Sequence, residues 1–127
     1  MTLIELVIVM TILGILLTIA IPSYRSYVMR VNRSDAINML LQAAICQEQV
    51  RAARGVYDTG SCPSGSWQES YSLLYQPHNT TGSAFTAIAA PVGAQGSDPC
   101  GQLSLNQSGE KSISAVGVSV EKCWNGR

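Results

Sequence analysis

The sequence opens with MTLIELVIVMTILGILLTIAIPSY, residues 1–24, in which Glu5 is the only charged side chain. As an α-helix, the first 21 residues are roughly 31 Å long, about the thickness of the hydrocarbon core of a bilayer. No basic region precedes the apolar run and no A-x-A site follows it, so it differs from an ordinary secretory signal peptide. The stretch therefore predicts a membrane-spanning helix.

Three residues distinguish this helix from a plain membrane anchor. An acid inside an apolar span costs a few kcal/mol, so Glu5 needs a partner. The cation within its reach is an α-amino group, that of Met1 or of a neighbouring chain. Pro22 has no N–H to donate to the carbonyl of Thr18, and Gly14 is a poor helix former. The segment from Gly14 to Pro22 is therefore predicted to be the weakest part of the helix.

The rest of the chain is rich in polar residues and nearly neutral. Beyond residue 21, eight cations and seven anions give a net charge of +1, which does not support a nucleic acid partner. The four cysteines form an even set without C-x-x-C spacing, so disulfides are favoured over a metal site. Disulfides place this part in an oxidising compartment, such as the periplasm or the cell exterior.

After Pro22 the pattern remains helical. Apolar residues recur at spacings of three and four and predict a stripe that packs on the rest of the chain: Ala36, Met39, Ala43, Cys46 and Val50. Gly55 is a predicted helix stop. The arginines are interpreted as a solvated helix flank with Asp35 and Glu48 as partners; they are Arg25, Arg30, Arg33, Arg51 and Arg54.

From residue 61 onward, short alternating segments replace the helical period. Strands are predicted at 71–75, 84–90, 101–106 and 111–115, and Val116, Val118 and Val120 alternate again. Loops rich in Gly, Ser and Asn join them, which is typical of an antiparallel meander. The predicted fold is α+β: a long N-terminal helix, apolar in its first half and amphipathic in its second, packed on an antiparallel sheet.

Nothing in the sequence supports catalysis. His78, the only histidine, lies in an Asn/Thr/Gly-rich segment, and no nucleophile elbow, phosphate-binding loop or metal-ligand motif occurs. We therefore predict a structural protein that is not an enzyme and has no catalytic residues, no metal and no cofactor.

The N-terminal residues carry a family resemblance. T-L-I-E-L-V-I-V-M at 2–10, G-I-L at 14–16 and A-I-P-S-Y at 20–24 resemble the N-terminal signature of type IV pilins. The resemblance implies a short basic leader removed just before residue 1, with methylation of the new N-terminus at Met1, where the family usually has Phe. It also implies assembly through Glu5 and the N-terminal amine.

The C-terminal part carries a second resemblance. The sequence 98–112, DPCGQLSLNQSGEKS, with C-W at 123–124, is similar to a subgroup of type IV pilins that includes minor pilins. It implies that Cys100 pairs with Cys123. The remaining bridge is predicted as Cys46–Cys62, the sequential choice among three possible pairings, which ties the helix end to the following loop.

The resemblance implies a structural subunit of a type IV pilus that polymerises through its helix into an extracellular filament for motility, adhesion or DNA uptake. Residues 1–24 form the membrane and filament-core half, and residues 25–127 form the globular head. Expected partners are further copies, other pilins, the assembly machinery and, before assembly, the bacterial inner membrane. The alternatives are a pseudopilin of a type II secretion system and a pilus-tip binding module. Trp124 is assigned to the core, while Trp67 is left open.

Overall fold

The computed structural model describes residues 1–77 and 81–125, so His78 lies outside the described residues. One helix, α1 (Leu3–Arg54), runs without a break through Pro22. It ends where Gly55 adopts a left-handed φ of 81° and donates its N–H to the carbonyl of Arg51, which confirms the predicted stop.

Five strands follow and pair antiparallel in sequence order. They are β1 (Gly65–Trp67), β2 (Tyr71–Pro77), β3 (Phe85–Pro91), β4 (Leu103–Asn106) and β5 (Lys111–Ile113). A 3₁₀ turn (Gly93–Ser97) links β3 to β4, and a short helix, α2 (Val120–Trp124), ends the described chain. The α+β fold and the antiparallel meander are confirmed. The sequence missed β1, a three-residue strand that pairs with β2 at one edge of the sheet.

One face of the sheet packs on the second half of α1. In β3 the buried residues alternate as Phe85, Ala87 and Ala89, and in β4 Leu103 and Leu105 point inward as predicted. Ala36, Met39 and Ala43 lie on the buried face of the helix, also as predicted, whereas Cys46 and Val50 are half-buried. Leu40 and Gln47 complete this face. Trp124 belongs to the core, and Trp67 is partly buried against it.

Two interpretations from the sequence are wrong. Arg33 is not on a solvated flank: it is 3% exposed, because an aspartate 65 residues away provides its counter-charge. The alternation at Val116, Val118 and Val120 is not a strand either. Gly117 turns the chain with a φ of 79°, and Ser119 caps α2 by accepting a hydrogen bond from the N–H of Lys122.

Candidate assembly helix and its attachment to the head

The first half of α1 exposes an apolar surface that the rest of the chain does not cover. From Leu3 to Ile21 its large apolar side chains are 48–85% exposed. An 18-residue window of this helix has a mean hydropathy of 2.7, and none of it is buried within the chain. By length and composition it is the one helix in the described part of the chain that is able to cross a membrane. Such a surface is stable in water only when lipid or other protein covers it.

Glu5 sits at the start of this surface. Its backbone N–H donates to the Thr2 hydroxyl, and its carboxylate accepts from the Thr2 backbone N–H, each at 3.3 Å. This reciprocal pair is a capping box, and the carboxylate also complements the positive end of the helix dipole. Met1 is 99% exposed at the same end. The capping role was missed from the sequence, although the T-x-x-E spacing is its usual signal.

The segment from Gly14 to Pro22 is helical in the single chain. Pro22 nevertheless has no N–H for the carbonyl of Thr18. The Thr18 hydroxyl donates to the carbonyl of Ile15 at 2.7 Å, so the side chain binds within the same turn. No side chain of the head is needed to hold this segment, because it is exposed along its whole length.

A buried polar cluster attaches the head to the helix. The Arg33 guanidinium contacts both oxygens of Asp98, at 3.0 and 2.5 Å, with both side chains at most 4% exposed. Asp98 also accepts from Gln95 at 2.9 Å, from Tyr71 at 3.3 Å and from the N–H of Cys100 at 3.0 Å. The carboxylate thus links the helix, the sheet and the chain that enters β4. Burial raises the pKa of Tyr71 to about 12, so it is a neutral donor here.

Gln95 continues the cluster toward the N-terminal end of α1. Its amide donates to the carbonyl of Met29 at 3.1 Å, and its oxygen accepts from Asn32 at 3.1 Å. Through these bonds the 3₁₀ turn is held beside the helix at residues 29–33. The cluster therefore determines where along α1 the head begins.

A second polar group lies at the far end of α1. Tyr57 donates its hydroxyl to Glu48 at 2.7 Å and accepts from Arg51 at 2.8 Å. Burial, followed by the hydrogen bond to Glu48, raises the pKa of Tyr57. Arg54 forms an exposed ion pair with Asp58 at 2.9 Å. The expected partners of the arginines were Asp35 and Glu48. Arg51 and Arg54 instead donate to Tyr57 and Asp58, which follow the helix.

Two disulfides close the head. Cys46–Cys62 ties the end of α1 to the chain before β1, and Cys100–Cys123 ties the start of β4 to α2. Each spans a Cα–Cα distance near 6 Å, at 6.0 and 5.9 Å. Among the described residues, no group of three or more His, Cys, Asp or Glu side chains is arranged to hold a metal.

Known proteins share this architecture. The chain is similar to the solved structure of a type IV pilin from Shewanella oneidensis, with a TM-score of 0.58 and 30% identity. The match covers 72% of this chain and 98% of that one. The first half of α1 is apolar and uncovered, and the second half packs on the sheet of the head. Together with this match, these features identify the chain as a type IV pilin, which is a structural class of protein.

A second comparison identifies a more specific group of proteins than the shared fold does. A family model described as "Type IV minor pilin ComP, DNA uptake sequence receptor" matches residues 22–104, and the chain belongs to this family. It is also 38% identical over 64 residues to a fimbrial protein, EcpC, from Eikenella corrodens. That match spans 50% of this chain and 42% of the relative's length.

Proposed function

We propose that this pilin polymerises through residues 1–24 into an extracellular type IV pilus, after being held in the bacterial inner membrane by the same helix. The observation that carries the proposal is the apolar half of α1, which no part of its own head covers. Lipid covers it before assembly, and the corresponding helices of neighbouring subunits cover it in the filament. Other pilins and the assembly machinery are the further partners.

Glu5 is proposed to neutralise the N-terminal amine of a neighbouring subunit during assembly. In a filament core the carboxylate loses water, and an uncompensated charge there is costly. The capping box holds the carboxylate at the first turn of α1, on the surface that a neighbouring helix would cover. A buried carboxylate–amine pair would therefore favour one longitudinal stagger between adjacent helices.

Two substitutions that separate the charge of Glu5 from the capping of α1 test this proposed role of Glu5. Glu5→Gln keeps the geometry of a capping box, because Gln also serves at this position, but it removes the charge. Thr2→Val removes the cap and keeps the charge. We expect Glu5→Gln to remain in the membrane fraction and to yield few sheared filaments by electron microscopy, while Thr2→Val assembles. Normal filament yield from Glu5→Gln would refute the pairing.

The Gly14–Pro22 segment is proposed to lose helical hydrogen bonds in the filament. Irregular backbone is tolerated there only when neighbouring helices shield it. An extended residue spans about 3.3–3.6 Å and a helical one 1.5 Å, so this segment would lengthen under load. A filament map with unbroken helix through Pro22 would contradict this proposal. Long filaments composed of this chain alone would make it a major pilin.

Among motility, adhesion and DNA uptake, the family match favours DNA uptake. The sequence alone did not favour it, because the chain beyond residue 21 has a net charge of +1. We therefore expect few phosphate contacts with double-stranded DNA, so the slope of log K against log salt, which is roughly −0.9 per contact, should be shallow. Fluorescence anisotropy of the full chain in detergent with labelled duplexes measures this slope. Absence of binding at low salt would remove this function.

A further inference from the structure

A groove at one edge of the sheet is not used by the functions proposed above. This edge groove lies between α1 and β1 and has a volume of about 470 Å³, which is within the range of ligand-binding sites. Its lining is mainly apolar and aromatic: Met39, Ala43, Pro63, Trp67, Leu73 and Tyr75. Among the described residues, none that lines it carries a charge, so the groove suits an apolar, uncharged occupant.

The edge groove exists because one inward-facing position of β1 has no side chain. Gly65 pairs with Leu73, which is buried on the face of the sheet that packs on α1. Residues opposite each other in an antiparallel pair share a face, so Gly65 also faces the helix. A Cβ at Gly65 would meet no atom within 4 Å. The groove is therefore open where a side chain of β1 would otherwise lie beside Leu73.

The walls of the edge groove are fixed without an occupant. The Cys46–Cys62 disulfide joins α1 to the chain just before β1. The hydroxyl of Tyr75 donates to the carbonyl of Pro63 at 3.2 Å, which holds the same segment against β2. Because the groove is already formed, an occupant does not have to order its walls, and binding loses little free energy to that step.

Trp67 provides a hydrogen-bond donor that the described part of the chain does not use. Its indole nitrogen is buried, and none of the described residues accepts from it. The other tryptophan differs, because the indole of Trp124 donates to the carbonyl of Ser112 at 3.3 Å. A buried donor without an acceptor is destabilising, so an occupant that brings an acceptor to Trp67 gains a hydrogen bond to a group already removed from water.

The backbone of β1 provides a second polar contact. Among the described residues, no strand pairs with the outer side of β1, which is one edge of the sheet. The carbonyl of Trp67 accepts from the N–H of Ser70 and so faces β2. Backbone groups alternate along a strand, so the N–H and C=O of Ser66, which is exposed, point outward. An extended peptide is able to pair with such an edge.

The turn that positions Trp67 is strained. Gln68 and Glu69 follow it directly and have φ values of 47° and 60°, in the left-handed region that glycine and asparagine adopt more easily. No other non-glycine residue in the described part of the chain has a positive φ. Strain of this kind is concentrated at binding and active sites, where the surrounding structure holds it.

We propose that the edge groove binds an extended, uncharged peptide segment of a partner protein. An apolar side chain of the peptide fills the groove beside Leu73, a peptide carbonyl accepts from the indole of Trp67, and the peptide backbone pairs with Ser66. No other class of occupant accounts for all three features. An acyl chain supplies no acceptor along its length, and a nucleic acid would bring phosphates to a groove without cations.

The indole signals of the full chain in detergent micelles test this proposal by NMR. The chain has two tryptophans, so an isotopically labelled sample gives two indole N–H peaks, and Trp67→Phe assigns them by removing one. The probes are capped pentapeptides of sequence Thr-X-Thr-X-Thr in which X is Val, Leu or Tyr. We expect the Trp67 indole proton to move downfield as it gains a hydrogen bond, while the peak of Trp124, which is already bonded, stays in place.

Matched variants separate the contacts. The amide peak of Ser66 measures affinity in each variant, including Trp67→Phe, which keeps an aromatic ring and removes the donor. That variant should bind about 2- to 13-fold more weakly, the equivalent of one hydrogen bond. Gln42→Tyr, at the mouth of the groove, should abolish binding. Gln49→Tyr, on an exposed position of α1 that does not line the groove, is the control and should bind normally.

Four outcomes would overturn the proposal. The first is that no peptide of the panel moves the Trp67 peak, and the second is that Glu at both X positions binds equally well. A Trp67 peak that shifts when the protein alone is diluted would assign the groove to a second copy of the chain. Magnetisation transfer from detergent chains to the Trp67 indole proton would assign it to lipid.

Discussion

Replacing Asp98 with Asn tests whether the buried cluster holds the head on the helix. The substitution preserves shape and removes the charge that faces the Arg33 guanidinium, in a site where both side chains are at most 4% exposed. It also places an amide group where Asp98 accepts hydrogen bonds from Gln95, Tyr71 and Cys100. Removing one partner of a buried ion pair typically costs about 3–5 kcal/mol.

The expected loss is large enough to measure by thermal unfolding. In a domain of about 100 residues, 1 kcal/mol corresponds to a shift in Tm of at least about 4 °C, so Asp98→Asn should lower the Tm by about 12 °C or more. Circular dichroism of the full chain in detergent measures it. The apolar half of α1, which the head does not cover, should retain its helical signal.

Asp58→Asn is the matched control, because Asp58 pairs with Arg54 in an exposed ion pair. Exposed pairs contribute about 0–1 kcal/mol, so this variant should shift the Tm by only a few degrees. Equal shifts in Tm in the two variants would show that burial does not increase the contribution of the Arg33–Asp98 ion pair to stability. The attachment of the head would then rest on apolar packing alone.

Three further outcomes are expected. Because burial raises the pKa of Tyr71 to about 12, its contribution to stability is present below pH 10 and is lost as the pH rises from about 10 toward 12. Burial also raises the pKa of Tyr57 and Tyr75, so tyrosinate absorbance should show several late-titrating groups, of which Tyr71→Phe removes one. Gly82→Ala should destabilise the head more than Gly109→Ala in urea unfolding, since both have positive φ but only at Gly82 would a Cβ lie 2.7 Å from the Tyr57 carbonyl oxygen. Replacing both cysteines of Cys46–Cys62, which are 16 residues apart, should cost about 3 kcal/mol in the chain-entropy model, and an unchanged urea midpoint would contradict that value.

Local patterns in the sequence were sufficient to predict α1 and the strands β2 to β5. The helical spacing of Ala36, Met39 and Ala43 predicts their buried face, because period 3.6 places them on one side of any helix. Gly55 ends α1 because a left-handed residue is needed there and glycine adopts it without steric cost. The alternation of Leu103 and Leu105 likewise predicts an inward strand face.

The valines at 116, 118 and 120 show where such patterns fail. Alternation predicts a strand only if a neighbouring strand provides backbone hydrogen bonds. The β5 pairing ends at Ile113, and beyond it the chain turns at Gly117 and enters α2. In the part of the chain that the structure describes, no strand pairs with this segment. That is a tertiary property, so the same residues form an exposed turn and the start of a short helix.

The sequence by itself therefore determined the class of protein, the uncovered apolar helix with Glu5 at its start, and the order of α1 and the strands β2 to β5, because these depend on residues close together in the chain. Only the tertiary structure decided that Arg33 is buried rather than solvated, since its counter-charge on Asp98 lies 65 residues away. It also decided that Val118 lines one groove together with Arg30 and Lys122. Contacts between residues so far apart in the sequence produce no periodic pattern in it, because they form only when the sheet folds back onto the helix.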